Sequence, residues 1–207
     1  MSARSLVLIP AYQAVRTLRE LLAGVRRAAP GLKVLVVDDG SRDGTARAAR
    51  AAGAEVVSHP ENLGKGAALR TGFAAALSCG AAGVVTMDAD GQHPPQCLPR
   101  FLEAASGADL VLGCRMGQAR AMPWLRRHTN RTMSRVVSGI ARVPLKDTQC
   151  GYRWISAAVL RGVRLGTGHY ETESELLIRA ARAGFRIAEV PIPAVYAGEE
   201  SHIRRGR

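Results

Sequence analysis

The run Asp88-Ala89-Asp90-Gly91-Gln92-His93 puts two carboxylates one residue apart in a glycine-containing turn. Such an Asp-x-Asp turn suits a hard divalent cation bridging phosphates, because the ion takes one or two carboxylates from the protein and leaves its other positions to water and substrate. Two further polar clusters follow short apolar runs in the same way, Pro10-Ala11-Tyr12 and Asp38-Asp39-Gly40-Ser41. Either acidic pair alone reads as readily as a helix N-cap or a turn. Three acidic or aromatic strand ends meeting at one edge read as a site, since buried strand termini bring carboxylates together only where a cation or donor compensates them.

Other chemistries fail on spacing. A phosphate loop of the Walker type needs a glycine five positions before its Gly-Lys pair and Ser or Thr after it, whereas Gly64-Lys65 has His59 and Gly66 at those places. Gly64-Lys65-Gly66 stands alone, as a short anion-friendly loop at a helix start or simply a turn. An Asp-x-Asp after an apolar strand also occurs in haloacid-dehalogenase-type phosphatases, but Gln92 replaces their threonine and no Gly-Asp-x-x-x-Asp follows. His59, His93, His128, His169 and His202 are scattered singly, without zinc-hydrolase spacing. Cys79, Cys97, Cys114 and Cys150 never form C-x-x-C and read as buried or idle thiols.

The candidate residues sit where the sequence changes period. Apolar runs at residues 5–9, 33–37, 54–57, 84–87 and 110–112 read as strands buried on both faces. Residues 15–28, 43–52, 65–79 and 96–105 carry helical patterns between them, with Gly, Pro and Asp at the switches. This alternation predicts an α/β fold, a mostly parallel sheet with helices on both faces, whose ligands bind beyond the carboxyl ends of the strands. From about residue 116 the pattern loosens into an Arg-rich helix at 123–142, a loop through Gly151, a helix at 173–183 and a last strand pair around 186–196.

With 207 residues, 47% hydrophobic and 22% charged, the chain can bury a full core, and no Ser/Pro-rich linker divides it. The longest weakly polar stretch, 74–87, is too short to span a bilayer. Pro10 cuts the first apolar run short of a secretory signal, which predicts a cytoplasmic protein. The net charge is +12, and of 29 basic residues only Lys33, Lys65 and Lys146 are lysine. No acidic residue lies between Asp109 and Asp147, where Arg115, Arg120, Arg126, Arg127, Arg131, Arg135, Arg142 and Lys146 cluster. This segment reads as a solvated helix face or as the contact for an anionic partner, and solvated faces normally mix both signs, which this one does not. Nucleic acid is not expected, because aromatic residues are only 4% and no nucleic-acid-binding signature is present.

Seven motifs in order carry a family resemblance: Ile9-Pro10-Ala11-Tyr12, Val36-Val37-Asp38-Asp39-Gly40-Ser41, Asn62-Leu63-Gly64-Lys65-Gly66, Met87 through His93, Gly113-Cys114-Arg115, Asp147-Thr148-Gln149-Cys150-Gly151-Tyr152-Arg153 and Glu173-Ser174-Glu175-Leu176-Leu177. Over nearly its whole length the chain resembles family 2 glycosyltransferases of the GT-A fold, in the branch of dolichyl-phosphate mannose and glucose synthases and their bacterial polyprenyl-phosphate relatives. It departs from the family's usual Asn-Glu after the Pro-x-Tyr element, where it has Gln13-Ala14.

The resemblance implies one GT-A domain over residues 1–207, with a nucleotide-sugar-binding half at 1–114 and an acceptor-side half at 115–207. Pro10, Ala11, Tyr12, Asp38, Asp39 and Gly40 would hold base and ribose, and Lys65 would reach the diphosphate. Asp88 and Asp90 with Gln92 would hold Mg2+ or Mn2+ there, Ala89 lying between them. Asp90, Arg115 and Asp147 would be catalytic, Arg115 neutralising the leaving charge. Arg127, Arg131, Gln149 and Glu173 would serve the substrates, largely on the acceptor side. The implied reaction is metal-dependent, inverting transfer of a sugar from a UDP- or GDP-sugar to a polyprenyl phosphate. A phosphate monoester is mostly dianionic at neutral pH and needs little general-base help. A hydroxyl acceptor, the alternative, would make Asp147 or Glu173 the base. The basic segment 115–146 would lie on anionic lipid, placing the protein peripherally on the inner face of the cytoplasmic membrane. The sugar, the nucleotide and the oligomeric state are left open.

Overall fold

The computed structural model describes residues 5–117, 124–166 and 171–194. Along β1 (Ser5–Ala11) no face is polar: Leu6 and Leu8 enter one core while Val7 and Ile9 enter the other, following the two-residue period of a strand. β2 (Lys33–Asp38) repeats the division with Leu35 and Val37 against Val36. Strands apolar on both faces need cover on both. One face is covered by α1 (Val15–Ala28), α2 (Thr45–Ala51) and α4 (Leu98–Ala104), the other by α3 (Lys65–Ser78), α5 (Trp124–Ala141), α6 (Ala157–Gly162) and α7 (Glu171–Arg182). In α1 the buried Leu18, Leu21, Leu22 and Val25 recur at helical spacing. Its first N–H groups are satisfied from a distance, Ala14 donating to Thr45 Oγ1 at 2.9 Å and Val15 to Asp43 Oδ2 at 3.1 Å.

The remaining strands are β3 (Glu55–Ser58), β4 (Gly83–Thr86), β5 (Leu110–Cys114), β6 (Arg153–Ser156) and β7 (Ile187–Pro191). The described residues form one seven-stranded sheet in the order β3-β2-β1-β4-β6-β5-β7. β1 to β4 are parallel, as are β5 and β7, and β6 runs antiparallel between β4 and β5. From β1 the chain first builds outward to β2 and β3, then crosses back to β4 on the other side of β1. Such a reversal opens a crevice beyond the carboxyl ends of the two central strands.

Past residue 116 the structure adds elements that the sequence pattern does not show. β6 has only four residues and no polar-apolar alternation, because Arg153 is 2% exposed and buried like its apolar neighbours. α6 follows at once, started by Ser156, whose Oγ accepts the Val159 N–H at 3.2 Å. The strand pair expected around 186–196 is a single strand, β7, within the described residues; 195 and 196 lie outside them. No described helix is long and apolar enough to cross a membrane. Cys97, Cys114 and Cys150 are buried thiols, burial pushing Cys150 up to about 12, and Cys79 is exposed.

Candidate active site

The reversal at β1 brings together strand ends that are far apart in sequence. An open cleft of about 680 Å³ is lined by Pro10 and Ala11 at the end of β1 and Tyr12 just beyond it, Asp39 beyond β2, Lys65 at the start of α3, and Asp88, Ala89 and Asp90 beyond β4. Tyr12 is 51% exposed, its ring accessible on the cleft wall. Thr17 of α1 also lines the cleft, and its hydroxyl donates to the Ala89 carbonyl at 2.5 Å, tying the Asp-x-Asp turn to the helix. Asp90 is exposed, with Oδ1 accepting the Gln92 N–H at 2.9 Å in an Asx-type turn.

Asp88 is the centre of a charge cluster. Its Oδ1 lies 2.6 Å from Lys65 Nζ, which also reaches Glu173 Oε2 at 3.1 Å, so α7 contributes a carboxylate to the same lysine. Burial opposes the charge on Asp88, but the groups around it, Lys65 foremost, together outweigh burial and hold the carboxyl at about 2. Burial likewise opposes the charge on Lys65, and Asp88 and Glu173 together hold it above the ordinary lysine range. The Asp88 N–H donates to His93 Nδ1 at 2.9 Å, which assigns the imidazole proton to Nε2, 3.8 Å from Asp88 Oδ2. Burial lowers the pKa of His93, so the ring is neutral at pH 7. A Cβ on Gly151 would stand 2.9 Å from Asp88 Oδ2 and 3.0 Å from Glu173 Oε1, so glycine there is what lets the two carboxylates close in.

Asp38, Asp39 and Gly40 are placed differently from one another. Asp39 is 3% exposed and already well supplied: Oδ1 accepts the Leu63 N–H at 3.0 Å and lies 2.7 Å from His59 Nδ1, and Oδ2 accepts the Gly64 N–H at 2.8 Å. It ties down the loop that delivers Lys65. Asp38 is buried behind the cleft, accepting the Ser41 N–H at 3.3 Å. Gly40 adopts φ +74° and a Cβ there would meet the Glu61 carbonyl carbon at 2.4 Å, so it lets two loops touch and does not line the cleft.

Beyond β5, Arg115 grips Asp147 through Nε at 2.8 Å and Nη2 at 3.0 Å, and its own N–H adds a third contact at 3.1 Å. Asp147 is fully buried, and its N–H and that of Lys146 both donate to Glu189 on β7. Gln149 is half-buried, its amide donating to Thr148 Oγ1 at 3.2 Å. Arg127 is half-buried and Arg131 exposed on α5, away from the cleft lining. Arg153 donates from Nε to Cys150 O at 2.8 Å, from Nη2 to Thr148 O at 2.9 Å and from Nη1 to Glu173 O at 2.5 Å. It therefore clamps the 148–151 loop to the first turn of α7. Sequence reasoning gave no role to Arg153, His93, Gly151 or Thr17. The first three stand inside quoted motifs and were open to discovery there, whereas nothing in the sequence marks Thr17.

An α/β sheet with paired carboxylates and a lysine at its switch point is suited to a phosphorylated ligand held with a cation. The family described as Glycosyl transferase family 2 matches residues 6–165, and the chain belongs to that family. It is 37% identical over 203 residues to undecaprenyl-phosphate mannosyltransferase of Micrococcus luteus, covering 93% of this chain and 84% of that one. It is also 37% identical over 202 residues to polyprenol monophosphomannose synthase of Mycolicibacterium smegmatis, covering 91% and 76%. Among solved structures it is similar to glucosyl-3-phosphoglycerate synthase from Mycobacterium tuberculosis in complex with Mn2+, uridine diphosphate and glucosyl-3-phosphoglycerate, with a TM-score of 0.72 and 26% identity over 95% of this chain and 72% of that one. The expected GT-A-like α/β fold and family both hold.

Proposed function

We propose that the protein transfers a sugar, with inversion, from a UDP- or GDP-sugar to a polyprenyl phosphate. The observation that carries this reading is the cleft at the β1/β4 reversal, walled by Pro10, Ala11, Tyr12 and Asp39 and floored by Lys65, Asp88 and Asp90. The wall suits base and ribose and the floor suits a diphosphate. Among the described residues no group of three or more His, Cys, Asp and Glu side chains could hold a metal alone. Two hard carboxylates at a strand end still fit Mg2+ or Mn2+ that draws its other ligands from phosphate and water. When bound, such an ion would act as a Lewis acid on the charge developing on the leaving diphosphate.

The acceptor side favours a phosphate over a hydroxyl. A hydroxyl needs a base, but Asp147 is closed to solvent and held by Arg115, and Glu173 is paired with Lys65. A dianionic phosphate needs none; it needs its charge screened and its position fixed. Asp147 then acts as a positioning residue that fixes Arg115. The relatives named for undecaprenyl-phosphate and polyprenol substrates support the same acceptor. α5 supplies a surface for it: Ser134, Val137 and Ala141 face inward, Met133, Val136 and Ile140 form an exposed apolar flank, Arg131 and Arg135 are exposed on the opposite flank, and the exposed Arg142 follows the helix. Exposed apolar residues on one flank and arginines on the other suit an anionic lipid surface.

The test is transfer to undecaprenyl phosphate from a panel of UDP- and GDP-sugars with Mn2+, read by mass spectrometry, with the anomeric configuration of the product read by NMR. One sugar per lipid phosphate, of inverted configuration, is expected. Transfer only to hydroxyl acceptors overturns the reading.

A further inference from the structure

Lysine is unfavourable as the first residue of a helix, because the N-terminal end already carries the positive pole of the helix dipole. Lys65 nevertheless opens α3, its side chain 20% exposed, with Nζ 2.6 Å from Asp88 Oδ1 and 3.1 Å from Glu173 Oε2. Asp88 follows β4, Glu173 lies in the first turn of α7, and both carboxylates crowd the space that a Cβ on Gly151 would take. Two carboxylates this close repel unless a cation stands with them. The neighbouring Arg153 is spent on three carbonyls and His93 Nδ1 accepts from the Asp88 N–H, so the cation bonded to both carboxylates is Lys65.

Resting on the reading of Asp88 as a metal ligand, we propose that Lys65 is an internal counter-ion, paired with Asp88 when no divalent ion is bound and moving to the diphosphate when nucleotide and ion enter together. Metal and nucleotide are then coupled through one side chain. A divalent ion arriving alone must displace the ammonium from Asp88, whereas a diphosphate offers that ammonium new anionic oxygens. Glu173 holds Lys65 from the acceptor half, so the exchange breaks only one of its two ion pairs.

Isothermal titration of Mn2+ alone into the purified protein reads this device without any turnover. Lys65→Met should bind Mn2+ at least about fivefold tighter than the parent, the lower end of ordinary coupling between sites. The charge-balanced pair Lys65→Met/Glu173→Gln should do the same, and it guards against a fold lost to two uncompensated carboxylates. The gain in Mn2+ affinity conferred by UDP or GDP should shrink in both. Asp88→Asn should lose Mn2+ binding. If it does while neither Lys65 variant binds tighter than the parent, the counter-ion proposal falls and the metal reading stands. Parental Mn2+ affinity in Asp88→Asn removes both.

Discussion

The two sides of the site handle charge in opposite ways. Beyond β4, Asp90 is exposed and Asp88 shares a single lysine, so charge faces a cleft where a ligand can exchange for it. Between β5 and the start of β6, Asp147 is 0% and Arg153 2% exposed, and their bonds are spent on Arg115 and on main-chain carbonyls. One side holds charge available for chemistry, the other uses charge as scaffolding. Substitutions on the first should therefore cost turnover and spare the fold. On the second they should cost stability first.

The largest effect is expected at the exposed end. Asp90→Asn keeps shape and removes charge, and should lower transfer by about 100-fold or more, in line with several kcal/mol of Lewis-acid stabilisation. The melting temperature should stay close to the parent's, because Asp90 adds little packing. Asp88→Asn should have a similar or smaller effect on turnover, and EDTA should abolish activity, with Mn2+ or Mg2+ restoring it. Parental rates in Asp90→Asn would break the contrast at its catalytic end.

On the scaffolding side, Asp147→Asn takes one partner from a buried bidentate pair, leaving Arg115, whose side chain is 15% exposed, without its counter-charge. Breaking such a pair costs about 3–5 kcal/mol. Urea midpoints should record that loss even where residual transfer is measurable. A loss below about 1 kcal/mol would show that Asp147 is not a scaffold residue.

The same contrast explains what the sequence made legible. Leu6 to Ile9 and Val34 to Val37 announce two-faced strands by being apolar throughout, and the polar residues just past them mark the cleft because parallel strands all end on one edge. β6 could not be read this way. Its buried Arg153 looks like a surface residue until the carbonyls that receive it are known, and those come from residues 148, 150 and 173. Asp147 offered itself as a base for the same reason, since nothing local shows that Arg115, 32 positions away, closes over it. Charge exposed at a strand end is a local property of the sequence, whereas charge consumed inside the fold depends on tertiary partners.

The arginines of α5 lie outside both networks. Among the described residues Arg131 and Arg135 form no ion pair, and both are exposed. At about 1 kcal/mol per Arg near an anionic surface, Arg131→Ala/Arg135→Ala should weaken partitioning onto phosphatidylglycerol vesicles by roughly 30-fold at low salt. The loss should narrow as salt rises. Equal sedimentation of the parent with neutral and anionic vesicles would remove the lipid surface from the acceptor side.

The smallest expected effect tests a buried polar group on the scaffolding side that is not consumed among the described residues. Tyr152 is fully buried, its ring stacked on His93 at 5.2 Å and on Phe101 at 4.2 Å, yet its hydroxyl has no hydrogen-bond partner among the described residues. Burial pushes the pKa of Tyr152 up, so the group stays a neutral, unpaired hydroxyl. A buried hydroxyl without a partner costs about 1–3 kcal/mol, and phenylalanine keeps the ring stack while deleting the cost. Tyr152→Phe should therefore be neutral or stabilising, raising the melting temperature by up to about 4 °C for each kcal/mol gained. His93 keeps its place under Asp88, so turnover should not change. A destabilised Tyr152→Phe would mean that the hydroxyl is bonded in solution, and that the scaffolding side leaves no polar group unpaired.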